Sequence, residues 1–248
     1  MEKVLVSGRP RLWAHMVGRF IYCPGCQHPT VERLLAEVIE EMGIEGRAVG
    51  IAGVGCHARL MMPLDIDSMQ SLHGRATDVA TGIKRALRGR PVVFTVQGDG
   101  DCGSIGAGGL IGAVSRGERI TVVMLNNTNY GTTGGQMAPT TLLGQVTPTT
   151  PEGREAGTHG YPLHLAELLA TMRSVAYAAR GALNSPANYQ RTKRYLRKAF
   201  QKQLDNAGFS FVEILLACPV NWHLTPVEAM KRIEDELVPE FPLGEFKE

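Results

Sequence analysis

Two short segments carry oxygen ligands of the kind a divalent cation takes. Gly98-Asp99-Gly100 places a carboxylate between two residues that lack a Cβ, so the backbone can turn tightly and approach a ligand closely. Asn126-Asn127, further along, offers a neutral amide oxygen. One or two protein oxygens completed by substrate phosphates is the way Mg²⁺ is usually held. A Gly-Asp-Gly alone most often marks a turn, and the flanking segments are what point beyond that. Residues 91–96 form an apolar, β-branched run that reads as a buried strand, 104–116 alternate small and apolar residues as a helix does, and 120–125 make a second buried strand ending at Asn126. An acidic loop that leaves a parallel strand and opens into a helix N-terminus suits a diphosphate and its metal.

The cysteines are the second chemical signal. Cys23-Pro-Gly-Cys26 is a Cys-x-x-Cys turn, open to redox, zinc or iron–sulfur readings. Only the brief Phe20-Ile21-Tyr22 precedes it where a thioredoxin-like motif has a strand, and no second close pair completes a zinc site. Cys56 and Cys218 are single, and each follows a predicted strand. Both therefore fall toward the carboxyl edge of one sheet, the edge that also carries Asp99 and Asn127. Four thiolates converging there would suit a [4Fe–4S] cluster, while buried structural cysteines explain the spacing equally well.

The elements needed to position these groups are legible as an alternation of strand and helix at 48–54, 77–88, 92–96, 104–116, 120–126, 163–169, 174–177, 187–206 and 209–216. That order implies an α/β fold, a doubly wound parallel sheet with helices on both faces. The expected organisation is an N-terminal arm over 1–22, one domain over 23–225, and a tail over 226–248 with a short amphipathic helix and an acidic, Pro-containing end. Residues 128–162, rich in Thr, Gly and Pro, are too long for a plain connector and read as a functional loop that orders when cofactor and partner close over it.

The 248 residues suffice for one large core, and 44% hydrophobic with 20% charged residues describes an ordinary globular chain. A net charge of +2 gives no reason to expect nucleic acid. The basic run from Arg191 to Lys198, with Tyr195, Leu196 and Phe200 at helical spacing, reads as the wet face of an amphipathic helix. No apolar stretch has the length of a membrane span, and no signal-peptide pattern opens the chain, so the expectation is a cytoplasmic protein with reduced thiols.

Tyr22-Cys-Pro-Gly-Cys-Gln-His28, Gly53-Val-Gly-Cys56, Leu72-His-Gly-Arg-Ala76, Ala80-Thr-Gly-Ile-Lys84, Gly98-Asp-Gly-Asp101, Asn126-Asn-Thr-Asn-Tyr-Gly-Thr-Thr-Gly-Gly-Gln136, Pro139-Thr-Thr141 and Cys218-Pro219 occur in that order. Through these motifs, over about residues 20 to 225, the chain resembles the thiamine diphosphate-binding β subunit of the 2-oxoacid:ferredoxin oxidoreductases. The resemblance implies that Cys23, Cys26, Cys56 and Cys218 hold one [4Fe–4S] cluster, and that Asp99, Asn127 and the Asn129 carbonyl hold Mg²⁺. It places Gly55, His73, Gly98, Gly100, Asp101, Gly131 and Thr132 against thiamine diphosphate, and makes Arg59 and Thr132 contacts to the substrate. His28 is read either as a donor tuning the cluster or as a helix-cap contact, and His159 and His164 as loop and helix-start residues. Cys102 matches no ligand, so it is expected to pack behind the metal loop, where nearness to the cofactor exposes it to oxidation.

The implied reaction is oxidative decarboxylation of a 2-oxoacid with coenzyme A, giving acyl-CoA, CO₂ and reduced ferredoxin. Thiamine serves there as electron sink and the cluster as a one-electron port. The loop Gly134-Gly-Gln-Met-Ala-Pro-Thr-Thr141 looks most like subunits for branched-chain 2-oxoacids, then for 2-oxoglutarate. No glutamate stands in a context to activate the thiamine pyrimidine, so an α subunit is expected to supply it. Electrons would leave through ferredoxin or a ferredoxin-like subunit. Two other readings remain open from the sequence: a thiamine-dependent decarboxylase or synthase subunit with no redox step, and a binding module that only relays electrons.

Overall fold

A computed structural model describes residues 10–12, 21–61 and 63–248. The expected arm over 1–22 therefore lies outside the described residues except at 10–12 and 21–22. Among the described residues the strands are β1 (Ala48–Ala52), β2 (Asp67–Gln70), β3 (Val92–Gly98), β4 (Thr121–Asn126), β5 (Asn129–Tyr130), β6 (Gln136–Met137), β7 (Val175–Ala182), β8 (Phe209–Leu215) and β9 (Gly244–Lys247). The helices are α1 (His28–Glu41), α2 (Ala76–Ala86), α3 (Ala107–Ser115), α4 (Ala156–His159), α5 (Leu165–Ala170), α6 (Pro186–Leu204), α7 (Pro219–Trp222), α8 (Pro226–Arg232) and α9 (Val238–Glu240).

Val92, Phe94 and Val96 of β3 enter one apolar core while Val93 enters another, and β4 divides Val123 and Leu125 from Val122 and Met124 in the same way. Strands buried on both faces read as continuous apolar runs and belong in the middle of a parallel sheet. The main sheet runs β2-β1-β3-β4-β8-β7-β9, and β5 with β6 makes a separate hairpin. Every pairing in the main sheet is parallel except that of β9 with β7. The doubly wound sheet expected from the sequence is therefore present, with one antiparallel edge strand drawn from the tail.

Helices cover both faces. The first core packs α1, through Val31, Leu34, Leu35, Val38 and Ile39, and α6, through Leu196, Ala199 and Phe200, against one face. The second packs α2, α3 and α5 against the other through Ala76, Ala80, Leu110, Ala113, Val114, Leu165 and Leu169. A third cluster joins Ala182 and Leu215 at the strand ends to Trp222, Ile233, Leu237 and Phe241, so the segment after residue 225 is packed onto the sheet.

Two features of this order position the site. The chain goes from β1 outward to β2 and then back across to β3 on the other side of β1, a reversal of winding direction. Such a switch point opens a crevice outside the carboxyl ends of the strands, where ligands bind in open α/β sheets. The segments after β1, β3, β4 and β8 carry Cys56, Asp99, Asn127 and Cys218, all at that one edge. No helix among the described residues is long and apolar enough to cross a membrane.

Candidate functional site

A cavity of about 280 Å³ lies at the switch point, walled by Val54 to His57, His73, Gly98 to Asp101, Asn127 and Asn129 to Thr133. A larger hollow of about 1010 Å³ between residues 142–151 and the C-terminal helices contains none of the predicted site residues. The predicted cofactor contacts line the smaller one. Asp99 is 2% exposed, and its Oδ1 accepts a hydrogen bond from the Gly100 amide at 2.9 Å while Oδ2 accepts one from Thr140 Oγ1 at 2.5 Å. Burial pushes its carboxyl up to about 7 despite those two donors. An enclosed carboxylate without a cationic partner fits a divalent cation in the crevice. Gly100 is required here, because an added Cβ would run into the Tyr130 ring.

The turn after β4, which carries Asn127, is held in a conformation that needs support. Thr128 has φ 58, in the left-handed region that threonine rarely adopts. Its amide donates to Asn126 Oδ1 at 3.1 Å, and its carbonyl accepts from Thr141 Oγ1 at 2.6 Å and Gln145 Nε2 at 3.2 Å. Asn126 Nδ2 in turn donates to buried Glu213 at 2.7 Å. The turn brings Asn127 and Asn129 to the cavity wall, with the Asn127 carbonyl accepting from Asn129 Nδ2 at 2.9 Å and Trp222 Nε1 at 3.1 Å. Thr140 and Thr141, neighbours in sequence, thus clamp the two halves of the loop pair. Among the described residues no three His, Cys, Asp or Glu side chains converge on one point as a single-ion site requires. One carboxylate with asparagine oxygens would suit a divalent cation whose other positions a diphosphate fills.

Asp101 organises the opposite wall. Its Oδ1 accepts from the Gly74 amide at 2.6 Å and lies 2.7 Å from His73 Nδ1, which is also 3.1 Å from the Val54 carbonyl. Two acceptors at Nδ1 place the ring proton there and leave Nε2 available to a ligand. Oδ2 is 3.3 Å from His57 Nε2, yet neither atom has an aligned hydrogen-bond partner, so the contact is electrostatic. Burial acts to raise the Asp101 carboxyl, but the His57 contact, the Gly74 amide and His73 outweigh it and hold the group below its usual range.

The four cysteines gather beside this cavity. Cys23-Pro-Gly-Cys26 forms a turn closed by the Cys26 amide on the Cys23 carbonyl at 3.0 Å, with Gly25 at φ +75. Gln27 anchors the turn by donating to the Leu183 carbonyl at 2.9 Å and accepting from the Ala217 amide at 2.8 Å, next to Cys218. Burial pushes the Cys26 thiol up to about 12, opposed by the His28 amide and reinforced by Cys218, Cys56 and Cys23, all close enough to act on it electrostatically. Buried His28 lines the cavity, and burial together with His57 drops its imidazole to about 3. These thiols are free. A four-iron cluster binds each thiolate to a different iron, so four neighbouring sulfurs that do not meet at a point fit it better than they fit one ion.

Arg59 departs from its expected place, and Cys102 keeps its buried place but not its expected reactivity. Arg59 lies outside the cavity walls, where Nη1 donates to the Ile21 carbonyl at 2.9 Å and the side chain borders a separate hollow with Met61 and Met69. Cys102 is fully buried and burial raises its thiol well above the usual value, which leaves it a poor target for oxidation. His159 accepts from the Glu155 amide, and His164 pairs with Glu240 at 3.0 Å, both apart from the site. The 128–162 segment is cross-bonded by Arg154, 5% exposed, whose guanidinium donates to carbonyls of Pro139, Thr141, Gly160 and Tyr161. Sequence reasoning assigned no role to Arg154, Gln145, Glu213 or Asn221. Only the Thr140-Thr141 motif gave a signal.

Residues 53–214 match the family model described as thiamine pyrophosphate enzyme, C-terminal TPP binding domain. The chain is 43% identical over 227 residues to the ketoisovalerate oxidoreductase subunit VorA of Methanothermobacter marburgensis, covering 92% of this chain and 47% of that protein. It is 34% identical over 215 residues to the 2-oxoglutarate synthase subunit KorB of Archaeoglobus fulgidus, covering 87% of this chain and 76% of that one. The solved 2-oxoglutarate:ferredoxin oxidoreductase from Magnetococcus marinus, with 2-oxoglutarate, coenzyme A and succinyl-CoA bound, superposes with a TM-score of 0.75 at 29% identity, over 88% of this chain and 70% of that chain. The chain thus spans about half the length of the VorA relative.

Proposed function

The chain belongs to the thiamine pyrophosphate enzymes and, within them, to the 2-oxoacid:ferredoxin oxidoreductase subunits, and from that premise we propose that it supplies the cofactor half of a coenzyme A-acylating 2-oxoacid oxidoreductase. The products are acyl-CoA, CO₂ and reduced ferredoxin. A branched-chain 2-oxoacid is the favoured substrate, because the relative named for ketoisovalerate is 43% identical and the one named for 2-oxoglutarate 34%. The observation that carries the proposal is the joining of two sites at one sheet edge. Thr132 lines the Asp99–Asn127 cavity and also bonds to Cys56 Sγ at 3.1 Å. A non-redox thiamine enzyme has no use for four thiols there.

When bound, thiamine diphosphate supplies the electron sink for decarboxylation and a [4Fe–4S] cluster a one-electron outlet. The chain's own residues do the holding. Asp99, Asn127 and the Asn129 carbonyl would take Mg²⁺ against the diphosphate, with Thr140 fixing the Asp99 carboxylate. Gly55, Gly98, Gly100 and Gly131 leave the wall open to a close ligand, and His73, set by Asp101, presents a fixed acceptor. Cys23, Cys26, Cys56 and Cys218 would hold the cluster, with Gln27 tying the first pair to the last. A partner α subunit would contribute the glutamate, and ferredoxin would take the electrons.

The test is viologen reduction by the anaerobically purified complex containing this chain, with coenzyme A and 2-oxoisovalerate, 2-oxoglutarate or pyruvate. The expected order of kcat/KM is 2-oxoisovalerate, then 2-oxoglutarate, then pyruvate. Aldehyde release without dye reduction would overturn the proposal in favour of a non-redox decarboxylase.

A further inference from the structure

A cluster's reduction potential depends on hydrogen bonds to its cysteine sulfurs, because reduction adds negative charge that a donor stabilises. Three of the four sulfurs here face donors, and the donors differ in kind. Cys26 receives the His28 amide and Cys218 the Asn221 amide, bonds that any residue type would make. Each of these sulfurs, and Cys56, also meets a side chain: His28 Nδ1 stands 3.1 Å from Cys26 Sγ. Thr132 Oγ1 donates to Cys56 Sγ at 3.1 Å, and Asn221 Nδ2 approaches Cys218 Sγ at 3.6 Å.

Thr132 and Asn221, the two side chains that can only donate hydrogen to sulfur there, are not equivalent. The Thr132 hydroxyl has one hydrogen, and Cys56 Sγ is the acceptor it meets. Asn221 Nδ2 divides two hydrogens among the Gly131 carbonyl at 2.9 Å, Asn129 Oδ1 at 3.4 Å and the sulfur. Gly131 lets Thr132 reach so close, since an added Cβ there would stand 3.2 Å from Cys56 Sγ. Thr132 and Cys56 both line the cofactor cavity, so the bond between them lies in its wall.

Resting on the reading that Cys23, Cys26, Cys56 and Cys218 hold a [4Fe–4S] cluster, we infer that Thr132, and more weakly Asn221, raise that cluster's reduction potential by hydrogen bonding to its ligand sulfurs. Thr132 then acts on the electron outlet and not as the substrate contact expected from the sequence. It is a positioning residue for electrons.

The experiment uses the anaerobically purified protein in its native complex, with iron and sulfide assays and a redox titration followed by electron paramagnetic resonance. Thr132→Val removes the hydroxyl at nearly constant volume, Thr132→Ser keeps it, and Asn221→Leu removes the weaker donor. All are expected to retain the wild-type iron content. The Val variant should titrate at a more negative potential, the Ser variant with the wild type, and the Leu variant with a smaller negative shift. A Val variant with full iron and an unchanged or more positive potential would overturn the inference, and so would a Ser variant shifted as far as Val. Wild-type protein without iron would overturn the cluster reading itself, an outcome the iron assay separates from the others.

Discussion

Asp99 is enclosed with two hydrogen-bond donors and no cation, so ionising it in the empty protein is costly. Its carboxyl rises from 3.8 to about 7. The folded state therefore keeps a proton that the unfolded state loses, and stability falls as pH rises from about 4 to 7, then levels. The loss is on the order of 4 kcal/mol. Denaturation of the cofactor-free Asp99→Asn variant beside the wild type should show an advantage for the variant that grows over that window. At pH 8, Mg²⁺ with thiamine diphosphate should stabilise the wild type and leave the variant unmoved. Parallel pH curves for the two proteins would mean the carboxylate is not the enclosed charge. The cysteines divide along the same physical line. Serine at Cys23, Cys26, Cys56 or Cys218 should deplete a content of about four irons per chain, while Cys102→Ser should not. Full iron in Cys218→Ser would remove it from the ligand set. That Asp99, Asn127, Cys56 and Cys218 fall at one sheet edge is legible, because ligand types, glycines and strand ends are local signals. The Pro139-Thr-Thr141 motif is visible, but not the role of Thr140, since its bond to Asp99 spans 41 residues, and Arg59 is misplaced because adjacency to Cys56 does not decide which way a side chain turns.

At the scale of elements, β7 shows what an alternation pattern misses. The sequence stops that strand at Tyr177, where Ala-Ala-Arg-Gly-Ala offers a charge and a glycine, but the strand runs to Ala182 with Arg180 fully buried inside it. Glu213 on β8 pairs with Arg180 Nε at 2.8 Å, Glu167 grips both terminal nitrogens, and Phe241 and Phe246 flank the guanidinium. A buried charge met by partners from distant segments cannot be read from one segment. The same Glu213 receives Asn126, so the tail, the sheet and the metal loop share one network. Removing one member of a buried pair typically costs about 3–5 kcal/mol, because the other is stranded. Arg180→Ala should destabilise by that amount in urea denaturation, and Arg180→Met with Glu213→Leu should recover much of it. A single-variant loss below about 1 kcal/mol would show that the network is not a stabilising unit. The exposed β2 carries no apolar alternation and β9 is short and charged, so neither edge strand announced itself. Helix α1 carries Val31, Leu34, Leu35, Val38 and Ile39 at helical spacing, a local signal that lies outside the strand–helix alternation beginning at residue 48.

The whole molecule presents an unfinished cavity. The carboxylates in its walls are Asp99 and Asp101, and no glutamate lines it among the described residues. Asp99 is engaged with Thr140 and Gly100, and Asp101 with Gly74 and His73. On the proposed function, a carboxylate to activate the thiamine pyrimidine would come from another part of the enzyme. The surroundings agree. Val54 in the cavity wall is 40% exposed, Leu72 next to His73 is 78% exposed, and Ile105, which packs beside Gly74, is 53% exposed. Large apolar side chains grouped at the rim of a binding cavity mark a face that another surface covers. The sequence predicts this dependence from the missing glutamate, while the apolar rim is not legible in it, because the rim assembles only when three separate loops meet. The isolated chain, loaded with thiamine diphosphate, Mg²⁺ and cluster, should therefore bind its cofactors and fail to turn over. Coenzyme A-dependent viologen reduction with several 2-oxoacids should stay at background until the rest of the complex is added. Turnover by this chain alone at the rate of the complex would place the activating group within it, and the reading of the cavity as half a site would be wrong.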